Sequence, residues 1–312
     1  MKTIPVFYSP EQTVHENQSF SPSAGKPVHV VRSWLDQGFP ISLHNVVPLR
    51  ASQIALAHDA AFVRAVLKCE TANGFGNRSP EVAKAVRYTT GSMVGAALHV
   101  FKHGGVAVSP TSGFHHATWN HAGAFCTFNG LMIAVQALRL QGAKKVGILD
   151  CDAHFGNGQE DIIKKLGLED SVRHWTFGGE NITKSTAEEW LKEFPKIVSR
   201  FQDCDVLLYQ AGADPHVNDP LGGTLTSEQM RRRDRIVFEV CKRLEIAVAW
   251  NLAGGYQEPL RKVLDIHDST MAECVCAYLT NREIANEKDR KSDREKGSQK
   301  GHDHHSVRAR MG

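Results

Sequence analysis

Short, solidly apolar runs alternate along this chain with longer stretches in which apolar residues recur every three or four positions. Six runs read as strands: 4–8, 105–108, 146–150, 172–177, 206–209 and 246–252. Helical spacing occupies 28–37, then 54–69 as two short pieces split near Asp59, then 80 to about 101, 129–140, 188–201 and 227–244. Ser79 before Pro80 is a cap followed by a proline at the first helical position, and Ser227 is read as the cap of the last helix. Polar or glycine-rich stretches at 11–26, 70–80 and 109–123 read as loops. Strand, helix, strand in repetition predicts parallel strands joined by crossover helices. The strands are largely apolar, as for a sheet covered on both faces.

From 286 to 312 the pattern stops. Lys, Asp, Arg, Glu, Ser and His dominate, and Val307 and Met311 are nearly the only apolar side chains. Such a segment lacks the apolar surface to offset its ordering entropy, so a disordered polar tail follows a folded region spanning 1–285. His302, Asp303, His304 and His305 are metal-ligating types, but a solvated end is the simpler reading. The 312 residues carry 41% hydrophobic and 23% charged residues, ordinary for a globular enzyme. A net charge of +3 does not suggest a nucleic-acid platform. Seven cysteines, scattered without CxxC pairs, read as reduced thiols and a cytoplasmic location. There is no signal-peptide core at the start and no bilayer-length apolar run.

Chemistry changes the picture at the strand ends. In open parallel sheets, ligands bind beyond the carboxyl ends of the strands. The run at 146–150 leads into Asp150, Asp152 and His154, which an extended backbone would place on one face. These residue types suit a divalent metal such as zinc, although an acidic strand end capping a helix would look the same. The strand at 105–108 leads to His115-His116, that at 206–209 to Gly212-Ala213-Asp214, and that at 246–252 to Gly254-Gly255-Tyr256. Histidines beside three acids are candidate acid–base groups.

With these residues in place, the chain resembles the zinc-dependent histone deacetylase family, including its bacterial amidohydrolase members. The resemblance rests on His115-His116, on Phe125-Cys126-Thr127-Phe128-Asn129, and on Asp150-x-Asp152-x-His154. It continues through Gly212-Ala213-Asp214, Asp219-Pro220-Leu221-Gly222 and Gly254-Gly255-Tyr256, in the family's order over most of residues 1–280. It implies an open, arginase/deacetylase-like α/β fold with a central, mainly eight-stranded parallel sheet flanked by helices. It implies one zinc ion per chain on Asp152, His154 and Asp214, with an open position for water and substrate. His116 is then similar to the general base and His115 to its electrostatic partner, oriented by Asp150. Tyr256 would donate to the oxyanion, and Phe125, Gly255 and Leu221 would line a tunnel for an acylated aliphatic amine. A structural potassium ion is implied at Asp150 and at the backbone carbonyls of Asp152 and His154, with Thr176 and Phe177 as further contributors. The implied substrate is an acyl-lysine or another N-acyl amine, with no direct nucleic-acid or membrane partner; homo-oligomerisation stays open.

The chain also departs from the family's usual pattern. Pro110-Thr111-Ser112-Gly113-Phe114 stands where Arg-Pro-Pro-Gly is usual, Phe155 replaces a common histidine, and Asn157 stands where an acid often supports the second histidine. Only about 30 residues separate Phe177 from the next strand, so a low rim and an open mouth are expected there. Two other classes compete. A two-manganese ureohydrolase would need an acid where Gly156 stands, and a catalytically dead acyl-amine binding module is opposed by the complete ligand and tyrosine set.

Overall fold

The computed structural model describes residues 2–15 and 19–280. The polar tail at 286–312 lies outside the described residues. Up to Tyr278 the chain forms one compact unit. Its strands are β1 (Ile4–Phe7), β2 (Ile41–His44), β3 (Val106–Ser109), β4 (Val146–Asp150), β5 (Val172–Thr176), β6 (Val206–Gln210) and β7 (Val248–Asn251). They make one seven-stranded sheet in the order β2-β1-β3-β7-β6-β4-β5. Every pairing is parallel. Seven strands are present among the described residues where the resemblance implied eight. The apolar runs account for six of them. The seventh, β2, is a sheet edge whose Ile-Ser-Leu-His sequence is only half-buried, so it carries no solid apolar run.

The helices are α1 (Lys26–Asp36), α2 (Ala51–Ile54), α3 (Ala60–Leu67), α4 (Pro80–His103), α5 (Gly130–Leu140), α6 (Asn157–Leu166), α7 (Ala187–Ser199), α8 (Ser227–Arg243) and α9 (Arg261–Leu279). Ser79 caps α4, its hydroxyl accepting from the Val82 amide at 3.2 Å. The cap of α8 is Thr226 rather than Ser227: its hydroxyl accepts from the Gln229 amide at 3.3 Å, and the Gln229 side chain returns to the Thr226 amide at 2.9 Å. The helix α9 has no apolar run to announce it, because it buries His267, Asp268, Thr270 and Glu273 among Val263, Ile266, Met271 and Cys274. The central strands β3, β4, β6 and β7 are buried at every position. That burial stiffens the edge from which the chemically active loops leave.

Candidate active site

Strand register builds the floor. Pairing aligns Ser109 with Asn251, Asn251 with Gln210, Gln210 with Asp150, and Asp150 with Thr176. The result is one buried polar row across five strands at their carboxyl ends. Asp150 is fully enclosed in it. Its Oδ1 accepts from the Asp152 amide at 3.1 Å and Gln210 Nε2 at 2.9 Å; its Oδ2 pairs with His115 Nδ1 at 2.9 Å and accepts from Gln159 Nε2 at 3.0 Å. Because β4 ends at Asp150, the next residues are not extended. Asp150 therefore sits one tier below Asp152 and His154 instead of sharing a face with them.

Above the floor, Asp152, His154 and Asp214 bring one ligand atom each to within 4.8 Å of one another. His154 Nδ1 lies 3.0 Å from Asp152 Oδ1 and 3.0 Å from Asp214 Oδ2. The Gly254 amide donates to Asp152 Oδ2 at 2.9 Å, and the Ala153 amide to Asp214 Oδ1 at 3.3 Å. Glycine is required at two of these approaches. A Cβ on Gly254 would lie 2.6 Å from Asp214 Oδ2 and 2.8 Å from Asp152 Oδ2, and one on Gly222 would overlap the Asp214 carbonyl.

The donor set fits a divalent cation. Asp152 and Asp214 are both buried. Burial raises Asp214, and the charge on Asp152 raises it further, so the two carboxylates share a proton when nothing else neutralises them. Hydrogen bonds to Asp152 and Asp214 hold the His154 imidazole up at about 10. A divalent ion on these three atoms would displace that proton and relieve the repulsion. Arg233, fully buried, supports both ligand loops from below, donating to the Cys151 carbonyl at 3.1 Å and the Gly212 carbonyl at 2.8 Å.

Among the implied potassium contributors, the side chains of Asp150 and Thr176 already hold hydrogen bonds. All four lone-pair directions of the Asp150 carboxylate are already met by the donors above. The Thr176 hydroxyl accepts from the Gly156 amide at 3.2 Å, and the buried Phe177 opens a short turn over Phe177–Gly179.

His115 is buried and His116 half-exposed, their ring centroids 4.0 Å apart. Phe114, at φ 96°, places the pair; a bulky residue takes that conformation only under compulsion from its surroundings. Burial alone would lower His115, but the charges of Asp152 and Asp150 outweigh it and hold the imidazole at about 9. Its Nε2 lies 3.5 Å from Asp152 Oδ1. His116 moves the other way, lowered by burial and by the neighbouring His115 charge. Asn157 Oδ1 accepts from His116 Nδ1 at 2.6 Å, leaving the Nε2 lone pair of a neutral ring to face the site.

Aromatic rings form the mouth. Phe125, at φ 64°, lies 5.7 Å from Tyr256, 5.2 Å from Phe20 and 6.1 Å from Phe75, centroid to centroid. The Tyr256 amide donates to Asp219 Oδ2 at 2.7 Å, and the Leu221 amide to Asp219 Oδ1 at 3.0 Å, so one carboxylate ties two mouth segments together. Leu221 is 40% exposed, as a rim position should be. Gly255, at φ 142°, turns the chain between the Gly254 contact and the tyrosine ring. Burial and the Asp152 and Asp214 charges push the Tyr256 hydroxyl up, so it stays a proton donor. Only nine residues lie between Phe177 and α7, all of them exposed or half-exposed, which leaves that side of the rim low.

Every residue read from the sequence as part of the site lies at this edge, with Asp150 one tier down. Four contributors were not expected: Lys26, Gln159, Gln210 and Arg233. Each acts by burying a donor against a carboxylate or carbonyl, a role without a local sequence signature.

An all-parallel sheet carrying a buried acid–histidine–acid cluster, paired histidines and a tyrosine at its carboxyl edge defines a hydrolase of the deacetylase class. The chain belongs to the histone deacetylase family: the Histone deacetylase domain profile matches residues 28–176 and 179–271. Histone deacetylase 2 of Arabidopsis thaliana is 26% identical over 268 residues, covering 75% of this chain and 69% of its own. Acetylpolyamine amidohydrolase 2 of Pseudomonas aeruginosa is 50% identical over 170 residues, covering 46% of this chain and 48% of its own. Among solved structures, the HDA15 HD domain superposes with TM-score 0.71 at 20% identity, covering 89% of this chain and 88% of its own. The acetylpolyamine aminohydrolase from Burkholderia pseudomallei gives TM-score 0.69 at 17% identity, covering 88% and 99%. No helix among the described residues is long and apolar enough to cross a membrane.

Proposed function

We propose that this chain hydrolyses N-acyl amines, with acetyl-lysine in peptides and acetylated polyamines as the substrate classes, through one zinc ion. The observation that carries this reading is the convergence of Asp152, His154 and Asp214 beneath a neutral His116 and beside Tyr256. Asp152, His154 and Asp214 would hold the zinc, which when bound supplies Lewis acidity to a water and to the amide carbonyl. His116 Nε2 takes the proton of the attacking water while Asn157 fixes the ring through Nδ1. His115, held in its cationic form by Asp150, stabilises negative charge gathering between the two histidines. The Tyr256 hydroxyl donates to the carbonyl oxygen as its charge grows. The proton taken by His116 is then returned to the departing amine. Phe125, Phe20 and Tyr256 give an aliphatic amine stem an apolar wall. The catalytic domain is assigned to 1–285, with the polar tail outside it.

Tyr256→Phe should lower kcat about 10²–10³-fold, or roughly 3–4 kcal/mol, on an unactivated acetyl-lysine peptide. KM and zinc content should hardly change, because the hydroxyl donates mainly in the transition state and is not a ligand. Wild-type turnover by this variant would show that another group stabilises the oxyanion.

The amine side of the substrate should be tolerated broadly because the rim beyond Phe177 is low. A panel of acetyl-lysine peptides, longer acyl-lysines and acetylated polyamines should give kcat/KM values within about tenfold for acetyl-lysine and acetylpolyamine, a gap of about 1.4 kcal/mol. A polyamine preference of a thousandfold would show a closed, polyamine-selective mouth instead.

A further inference from the structure

The sheet edge at β2 and the end of α4 carry three histidines that the deacylase reading does not use: His44, His99 and His103. His44 is the last residue of β2, and His103 is the last of α4 with His99 one turn before it. Residues four apart share a helix face. The His99 and His103 ring centroids lie 4.8 Å apart and those of His44 and His99 5.5 Å apart, so His99 is the middle of the set. Phe7 of β1 forms the floor, its ring 5.1 Å from His44 and 5.6 Å from His99. Three strands, β1, β3 and β7, separate β2 from β6, whose end leads to Asp214.

Ordinary ring packing spans the same distances, but it does not require every surface member to be an imidazole. A shared metal ion does. Imidazoles bound tetrahedrally to one zinc, each nitrogen at about 2.0–2.1 Å, hold their ring centroids about 5 Å apart. Interplanar angles of 45° and 64° give the splay such an arrangement needs. As the rings stand, their nitrogens do not all lie within 4.8 Å of one another. His103 is exposed and His44 half-exposed, so turning these two rings at the surface closes the set around His99. Burial and the neighbouring His103 and His44 lower the His99 ring, which keeps it in the neutral form that binds metal. Ser42 Oγ lies 3.3 Å from His44 Nε2; accepting from Nε2–H, it leaves Nδ1 as the ligand atom. The carbonyl end of α4 favours added positive charge at this spot.

We propose that His44, His99 and His103 form a second metal site, for zinc, that clips the edge strand β2 to α4. Imidazole ligands suit a borderline divalent cation. An ion held by groups from both elements binds the folded chain more tightly than the unfolded one and so stabilises it. The site lies away from the hydrolytic centre, and turnover should not depend on it.

The experiment reads zinc and melting rather than turnover. The full chain also carries His302, His304 and His305, so every protein is compared in a background with His302→Gln, His304→Gln and His305→Gln. Dialysed to equilibrium against micromolar free zinc, that background should hold about two zinc ions per chain. Its melting temperature should keep rising as free zinc is raised past the level that fills the first site. His44→Gln, His99→Gln and His103→Gln should each weaken the second ion at least about tenfold and abolish that rise, with kcat on an acetyl-lysine peptide unchanged. Melting in chelator at the background's temperature checks that each variant folds, and exposed His103 is the position least able to disturb it. Asp214→Asn, which should empty the first site, should leave this ion bound, so the two assignments are tested apart. One zinc per chain at saturation, or a second ion that survives His99→Gln and His103→Gln, would overturn the proposal. A second ion lost in both helix variants but undiminished in His44→Gln would overturn the clip, leaving a site on α4 alone.

Discussion

Asp214→Asn is expected to purify folded, nearly free of zinc and without measurable deacylase activity. Asparagine is nearly isosteric and keeps an oxygen for the Ala153 amide, so the local backbone has little reason to move. What it loses is one of three anionic or basic donors converging within 4.8 Å. Loss of a supporting residue around a metal typically costs 10–100-fold, and loss of a ligand should cost more. Elemental analysis should fall from about one zinc per chain towards none. A further consequence separates ligand loss from misfolding. Without metal, Asp152 and Asp214 are two buried carboxylates sharing a proton, and asparagine removes that conflict. Metal-free Asp214→Asn should therefore melt no lower than metal-free wild type. Full zinc retention would remove Asp214 from the ligand set, and a much lower melt would make the inactivity a folding defect.

His116→Ala is expected to keep its zinc and lose about 10²–10⁴-fold in kcat, the usual contribution of a positioned acid–base group. The side chain hydrogen-bonds Asn157 and packs against the rings of His115 and His154 at 4.0 and 5.8 Å, centroid to centroid, without a hydrogen bond to any group of the metal cluster. The choice of His116 over His115 now has a physical basis. His115 is held cationic between Asp150 and Asp152 and has no lone pair to offer, whereas burial and that cation keep His116 neutral. Steady-state kinetics with metal analysis checks this. His116→Ala at wild-type activity with His115→Ala impaired would reverse the two roles.

Apolar pattern made much of the fold legible because parallel strands buried on both faces leave solid runs that few other structures produce. The four central strands were visible on that ground, β1 and β5 from shorter, mixed runs, and the long helix α4 from its spacing and cap. The edge strand β2 was not, since one half-buried strand of four residues lacks such a run. Helix α9 was hidden for the opposite reason: it buries polar side chains that partner distant residues, as Asp268 accepts from Ser33 at 2.8 Å, and this breaks the apolar stripe. At the site, the groups that meet substrate or metal were legible because their chemistry demands particular residue types at particular strand ends. Asp150, Asp152 and His154 were legible as a set but not as two tiers, because where the strand stops depends on its neighbours. Lys26 and Arg233 were illegible: each lies far along the chain from the carbonyls it holds, and only the folded backbone brings them together.

The most direct test of a metal-dependent deacylase is turnover of an acetyl-lysine peptide before and after the metal is stripped with a chelator and then restored. The site predicts about one zinc per chain as purified, loss of activity in step with zinc removal, and recovery on adding back one equivalent. Undiminished turnover by the fully stripped protein would contradict the assignment of Asp152, His154 and Asp214 as the centre of this chemistry.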